Sequence, residues 1–360
     1  MTLPSALVPA AGIATGYVAD LLLGDPRHGH PVAGFGRLAG GLERRSYRDN
    51  RAAGLRHAGA LVGGAVVLGL VAERLGRRRP ATGVLATAAA TWVVLGGRSL
   101  CSEAWIVSEA LADGDLEAAR ARVRNLVGRE TEALTVAEVA RATVESVAEN
   151  TSDAVVAPLF WGVVAGVPGL LGYRAINTLD AMIGHRSTHY LRFGWAAARL
   201  DDCANWLPAR VAGVLTALLA PVVAGSGRAA LRAWRRDADR HPSPNAGVVE
   251  AAFAGGLGVR LGGRNVYRGM IEDRGQLGDG RVPEPADIDR AVRLSAAVSA
   301  AAATLAVGCR LLVLYLGARR RHRAHRLAGG SDGCDLGRSR RRVWATRAPV
   351  STGGNEGADA

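Results

Sequence analysis

Glu145, Glu149 and Asp153 recur every four residues in VESVAENTSDAVVAPLFWG, residues 144–162. The segment from Thr135 reads as helix and Pro158 limits its end, so the three carboxylates share one helical face. Like charges at this spacing repel by a few tenths of a kcal/mol per pair in water, and by more beside an apolar boundary. Val155, Val156, Leu159, Phe160 and Trp161 supply that boundary. A cation would relieve the repulsion, and three carboxylates with water suit Mg²⁺. The competing reading is a solvated acidic face paired with Arg141 or other arginines.

A second acidic set, Asp180, Asp201 and Asp202, stands beside Asn177 and Asn205. Asp201 and Asp202 are adjacent, so on a helix they point to different sides. Arg129, Arg186, Arg199 and Arg210 offer planar forks that fit phosphate oxygens bidentately. His185 and His189 have H-x3-H spacing, but no HExxH glutamate accompanies them and zinc is not expected. His30 and His241 each precede proline, which commonly marks a turn. Cys101, Cys203, Cys309 and Cys334 are scattered and predict neither a disulfide framework nor a structural zinc site.

All 45 basic residues are arginine and the net charge is +13. Without lysine there is no P-loop lysine and no Schiff base with pyridoxal phosphate, so that cofactor is excluded. An arginine-rich genome explains part of the bias; anionic partners, either phosphorylated substrates or lipid headgroups, explain the rest. Aromatics are 5% and interleave with no basic stripe, so nucleic acid is not an expected partner.

Apolar runs must position these groups. They lie at 3–24 (interrupted by Asp20), 55–75, 81–97, 154–172 (with Pro158 and Pro168), 211–227 and 291–317. A bilayer crossing needs about 20 residues, so the pattern predicts an all-α, polytopic integral membrane protein with about 4–6 apolar helices and polar loops that form the site. A soluble, alanine-rich helical enzyme is the alternative. The first run lacks a charged n-region and reads as an uncleaved helix. Residues 1–320 form the membrane domain, and 321–360 a basic, disordered tail whose first arginines mark the cytoplasmic side. If 154–172 crosses the bilayer, the 145–153 stripe and the 177–210 set fall on opposite faces. Its two prolines instead allow a re-entrant course.

The polar segments GDPRHGHPVAGFGRL, GRET, ESVAENTSDAVVAPLFWGVVAGVPG, YRAINTLDAMIGHRSTHYLRFGWAAARLDDCANWLPAR and HPSPNAG occur in an order that resembles the CobD/CbiB family of cobalamin biosynthesis, over roughly residues 12–317. Ala181 stands where many relatives carry serine, and the tail has no counterpart. The resemblance implies a multi-pass inner-membrane ligase with a cytoplasmic active site. It would join adenosylcobyric acid to (R)-1-amino-2-propanol O-phosphate, or to aminopropanol, at the expense of ATP with Mg²⁺. Other late cobalamin-pathway membrane enzymes are possible partners, besides the lipid bilayer itself.

A carboxylate accepts an amine only after one oxygen becomes a leaving group, which calls for a metal, arginines around phosphate and a base. On this reading Glu145, Glu149, Asp180, His30 and His185 are catalytic candidates, with Asp153, Glu149 and Asp180 holding metal. Arg129, Asn150, Asn177, Asp202, Asn205, Arg210, His241 and Asn245 would bind substrate or phosphate. Two other classes share some of these features: an Mg²⁺-dependent membrane transferase of phosphoalcohols or prenyl diphosphates, and a transporter in which Asp20, Arg293 and Arg310 line a path. The membrane assignment is tested by alkaline carbonate: washed membranes are expected to retain the chain, and its release would favour the soluble alternative.

Overall fold

The computed structural model describes residues 7–26, 29–185, 187–267 and 270–328. His28, Arg186, Cys334 and the tail from 329 onward lie outside them. Of the described residues, 78% are helical. In order, the helices are α1 (Val8–Leu23), α2 (Pro31–Ser46), α3 (Arg51–Gly76), α4 (Pro80–Val94), α5 (Gly97–Ala112), α6 (Leu116–Val123), α7 (Val136–Thr151), α8 (Ala157–Leu179), α9 (Trp195–Leu219), α10 (Gly227–Asp237), α11 (Ala246–Leu257) and α12 (Pro285–Ala328). Contact clustering separates Met1–Leu314 from Tyr315–Ala360.

Among the described residues, five stretches are long and apolar enough to cross a membrane: Arg51–Gly76, Pro80–Ala112, Val136–Gly184, Trp195–Val223 and Pro285–Leu316. The all-α polytopic expectation holds, with one addition: an antiparallel hairpin of β1 (Leu261–Tyr267) and β2 (Met270–Leu277). The run at 3–24 yields a helix of 16 residues, about 24 Å long at 1.5 Å per residue and short of a ~30 Å hydrocarbon core. α1 packs on α4 by glycine against threonine. A Cβ added at Gly12 would lie 2.4 Å from Thr87 Cβ, and one at Gly16 would lie 2.5 Å from Thr91 Cβ.

The segment 154–179 does not run straight. α8 is two helical arms that meet at Gly166, whose φ of 66° and ψ of −145° lie outside the helical region. Pro168 sits in the first turn of the second arm, where a missing N–H costs nothing. The arms pack closely. A Cβ at Gly169 would sit 2.1 Å from the Trp161 carbonyl oxygen, and one at Gly162 would sit 2.9 Å from Leu170 Cδ2. The second arm then runs back along α3, with Gly69 against Pro168 and Gly172 against Val66. From Pro168 to Asp180 the rise is about 18 Å, too little to cross a ~30 Å core. The chain thus folds back on itself at Gly166, a course of the kind that the two prolines allowed.

A turn in apolar surroundings must have its backbone groups satisfied. Glu73 Oε1 of α3 accepts the Val167 N–H at 3.0 Å. Arg310 of α12 donates to the Gly162 carbonyl at 2.6 Å. The two side chains thus cap the two arms at the tip.

Short π-helical turns bracket the hairpin at its mouth, Ser152–Val156 before it and Asp180–Gly184 after it. Asp153 lies in the first and Asp180 opens the second. Gly166→Ala would force a side chain into a backbone region that is essentially glycine-only, at a cost of about 1–3 kcal/mol. The added Cβ would also meet Glu73 Oε1 at 2.0 Å. Thermal unfolding in detergent should show this loss. Gly64→Ala in α3, where nothing lies within 4 Å of the new atom, should be neutral or mildly stabilising.

Candidate functional site

The returning arm of α8 brings its C-terminal end beside the end of α7. Asn177 Nδ2 lies 3.4 Å from Asp153 Oδ2. Tyr173 donates its hydroxyl proton within two contacts, 3.1 Å to the Asp153 carbonyl and 2.8 Å to Asn205 Oδ1. Asn205, buried on α9, donates to Asp201 Oδ2 at 2.9 Å. The other oxygen of Asp201 is buried and has no hydrogen-bond partner among the described residues. Asp153 interacts electrostatically with Asp201, Glu149 and Asp180, and Arg174 opposes that negative field. Asp180 in turn feels Asp201 and Asp202. Gly184 leaves room for the Asp180 carboxylate: a Cβ there would fall 1.8 Å from Oδ1.

Glu149, Asp153, Asn177, Asp180, Asp201 and Asp202 are all partly exposed. They form one acidic surface at the hairpin mouth, built from α7, both π turns, α8 and α9. The amides of Asn177 and Asn205 and the phenol of Tyr173 hold the carboxylates in place. Asn150 bonds the Ser146 carbonyl at 3.0 Å, one turn back on its own helix.

Glu145 departs from the expected stripe. Its Oε2 accepts from Arg129 at 2.6 Å, with both side chains 4% exposed, and its Oε1 accepts from the Gly262 N–H of β1 at 2.8 Å. Arg129 also bonds Asn265, and Arg141 bonds the Gly262 carbonyl. Glu145 as a base and Arg129 as a phosphate ligand are therefore corrected to a buried pair that anchors the β hairpin onto α7. Removing one partner would strand a buried charge, at about 3–5 kcal/mol.

A second group adjoins this pair. Arg210 donates to Asn245 Oδ1 at 2.9 Å, and Asn245 donates to the Asp202 carbonyl at 2.8 Å, which ties α9 to the start of α11. Arg210 also stacks on Trp206. In these contacts Arg210 and Asn245 position α9 against α11. His241 Nδ1 accepts from the Ser243 N–H at 3.0 Å, and its Nε2 lies 3.6 Å from Glu250 Oε1. Glu250 is fully buried on α11, a helix of 12 residues that is too short to span. Burial, reinforced by Glu145 and Glu149, holds its carboxyl well above the usual range, while Arg274 pulls it down.

His30 and His185 are the other histidines that the sequence singled out for the site. His30 caps α2 through the Val32 N–H at 3.1 Å and faces Asp25 at 3.4 Å. His185, exposed, follows the second π turn and packs edge-on to Tyr190. His30 thus serves here as the cap of α2, and His185 ends the second π turn. Among the described residues no group of three or more His, Cys, Asp or Glu is disposed to hold a metal by itself. Oxygen donors nevertheless suit Mg²⁺, which commonly takes one or two carboxylates and completes its shell with water and substrate phosphates.

A family model, the CobD/Cbib protein, matches residues 13–295. The Cobalamin biosynthesis protein CobD of Mycobacterium tuberculosis is 57% identical over 299 residues, covering 83% of this chain and 95% of that protein. Proteins of the same name are 46% identical in Chromobacterium violaceum, over 79% of this chain and 94% of the relative, and 44% identical in Geobacter metallireducens, over 75% and 86%. The chain belongs to the CobD/CbiB family. No solved structure matches it.

Several residues around the candidate site are poorly marked in the sequence. Tyr173, Arg174, Asp201, Glu250, Asn265 and Arg274 join the network, yet each is an ordinary residue at its own position. Only Asp201 carried a signal, as half of an Asp-Asp pair. Glu250 follows HPSPNAGVV on an otherwise apolar helix, and a lone carboxylate in such a helix was the available cue.

His241 gives a pH signature. Burial, and then Arg274, push its imidazole down to about 4, against the nearby carboxylates of Glu145 and Glu272. The unfolded chain, near 6.5, binds the proton more readily, so stability should fall as pH drops from about 6.5 toward 4 and then level off. His241→Gln should flatten that part of a melting-temperature profile taken in detergent.

Proposed function

We propose that the protein is an enzyme of cobalamin biosynthesis that joins the free propionate of adenosylcobyric acid to (R)-1-amino-2-propanol O-phosphate, or to aminopropanol, in an ATP-dependent amide synthesis. The observation that carries this reading is the partly exposed set Glu149, Asp153, Asp180 and Asp201 at the mouth of a re-entrant hairpin, in a chain of this family. The same face would open to the cytoplasm, where ATP is available.

In this reading one or two of Asp153, Asp180 and Glu149 would hold Mg²⁺ together with water and substrate phosphate, and the ion would supply charge neutralisation at the transferring phosphoryl group. Asn177 and Asn205 fix the rotamers of Asp153 and Asp201, so that the negative field stays aimed outward. Tyr173 locks the second arm of the hairpin to the first π turn. Asp201, held by Asn205 through Oδ2, would be an acceptor for the proton that the incoming amine must lose. Arg174, which opposes the negative field at Asp153, would meet a phosphate there.

A second reading, an Mg²⁺-dependent transferase releasing diphosphate, draws on the same acidic surface and differs in its products. Purified protein in detergent, given adenosylcobyric acid, ATP, Mg²⁺ and each amine, should yield an amide-linked corrinoid detectable by mass. Diphosphate release without corrinoid turnover would favour the transferase. Asp153→Asn should lower amide formation by at least ~100-fold, the scale of one lost electrostatic contact. Glu138 sits in a capping box with Thr135, a place where glutamine also serves. Glu138→Gln should therefore act near normally, and equal losses in both variants would reduce the stripe to a solvated face.

A further inference from the structure

His189 stands on the loop between the second π turn and α9, among aromatic rings. The loop closes back on that turn: a Cβ added at Gly194 would meet the Ile183 carbonyl oxygen at 1.7 Å. The imidazole stacks on Tyr47, the residue that ends α2, with ring centroids 4.1 Å apart and planes at 9°. Tyr47 also donates its hydroxyl proton to the His189 carbonyl at 2.8 Å. Tyr190 meets the imidazole edge-on at 4.6 Å and donates to Glu43 Oε1 of α2 at 2.7 Å. His189 Nε2 lies 3.9 Å from that same oxygen.

The ring is held on one face and along one edge, yet the side chain stays 54% exposed, with Glu43 behind it only 14% exposed. A carboxylate behind an imidazole is the arrangement that sets the tautomer of a metal-ligating histidine. Here it favours the proton on Nε2 and leaves the lone pair on Nδ1. Any aromatic ring could stack on Tyr47; histidine adds that lone pair. A free metal ion needs more donors than one imidazole, and among the described residues no group of three or more His, Cys, Asp or Glu is disposed to hold one. A metal that arrives inside a planar macrocycle needs only an axial donor from the protein, as haem iron does. Leu191 on the same loop and Trp195 at the start of α9, 62% and 39% exposed, offer apolar surface to the rim of such a ring.

We propose that His189 is the lower axial ligand of cobalt in the corrinoid substrate. The inference rests on the reading above that the substrate is a corrinoid, and it gives the macrocycle a place on the protein. A corrinoid whose nucleotide arm has not yet been built has no internal base for that axial position, which water occupies. In the exchange the cobalt–water bond breaks, a bond from Nδ1 to cobalt forms, the water leaves and no electron is transferred. The Nε2 proton stays beside Glu43. Ligation anchors the macrocycle on the loop that leaves the π turn opened by Asp180, next in the chain to the acidic surface where the propionate reacts.

The test is electron paramagnetic resonance of the full chain in imidazole-free detergent, mixed with cobyric acid reduced to cobalt(II). The unpaired electron of cobalt(II) in a corrin points along the axial direction, so an axial nitrogen splits each line into a triplet and water does not. Bound corrinoid should show triplets, and protein labelled with ¹⁵N-histidine should convert them to doublets. His189→Gln should bind corrinoid without the splitting, and His185→Gln should keep it. Bound corrinoid with unsplit lines, triplets that survive the label, splitting that persists in His189→Gln, or splitting lost in His185→Gln would each overturn the proposal and leave the ligase reading standing. No binding of cobyric acid at all would overturn both. If His189→Gln folds poorly, the label in wild-type protein and the His185→Gln spectrum carry the test.

Discussion

The fold-back at Gly166 governs what the rest of the molecule can do. A chain that reverses direction inside an apolar region exposes N–H and C=O groups that lipid cannot satisfy. Here the cost is met by two charged side chains from other helices, Glu73 at the Val167 N–H and Arg310 at the Gly162 carbonyl. Each is therefore as much a part of the turn as Gly166 and Pro168. Because the second arm returns, Asn177 and Asp180 reach the level of Asp153. A straight passage through the bilayer would have parted them by its full thickness.

Around that mouth the charges fall into two regimes. Deep in the protein, Glu145 is matched to Arg129 and fixed to the backbone of β1. Nearer the surface, Glu149, Asp153, Asp180 and Asp201 face one another with hydrogen-bonding amides and a phenol between them. One helical stripe, split after its first member, thus serves as structure at one end and as a concentrated negative field at the other. The β hairpin makes the split possible, because it carries Asn265 and the Gly262 amide to the buried end.

Much of this was legible in the sequence. Apolar runs of the right length announced the membrane helices, and the polar motifs in order announced the family and the segments that form the site. The Glu145–Glu149–Asp153 period was real. What the period could not show was that the helix changes its winding at Ser152, since π turns have no residue signature comparable to a capping box or a proline. Nor could it show that Arg129, sixteen positions back, would neutralise Glu145, because ion pairing across a loop depends on tertiary packing. The histidines drew attention as chemically versatile residues, yet His30 and His185 occupy a helix cap and a turn end. Tyr173, by contrast, looked like one more aromatic in an apolar arm and joins that arm to α7 and α9.

The paired π turns bear on how such a chain can vary. A π turn is an α-helix with one residue too many, so everything beyond it is rotated by about 100° relative to an uninterrupted helix. One surplus residue stands at each side of the hairpin mouth. Loss of a single codon from either would leave composition and hydropathy almost untouched and still swing a whole arm round its axis, carrying Asp153 or Asp180 off the shared face. Between Thr151 and His185 the gene should therefore accept changes of letter far more readily than changes of length.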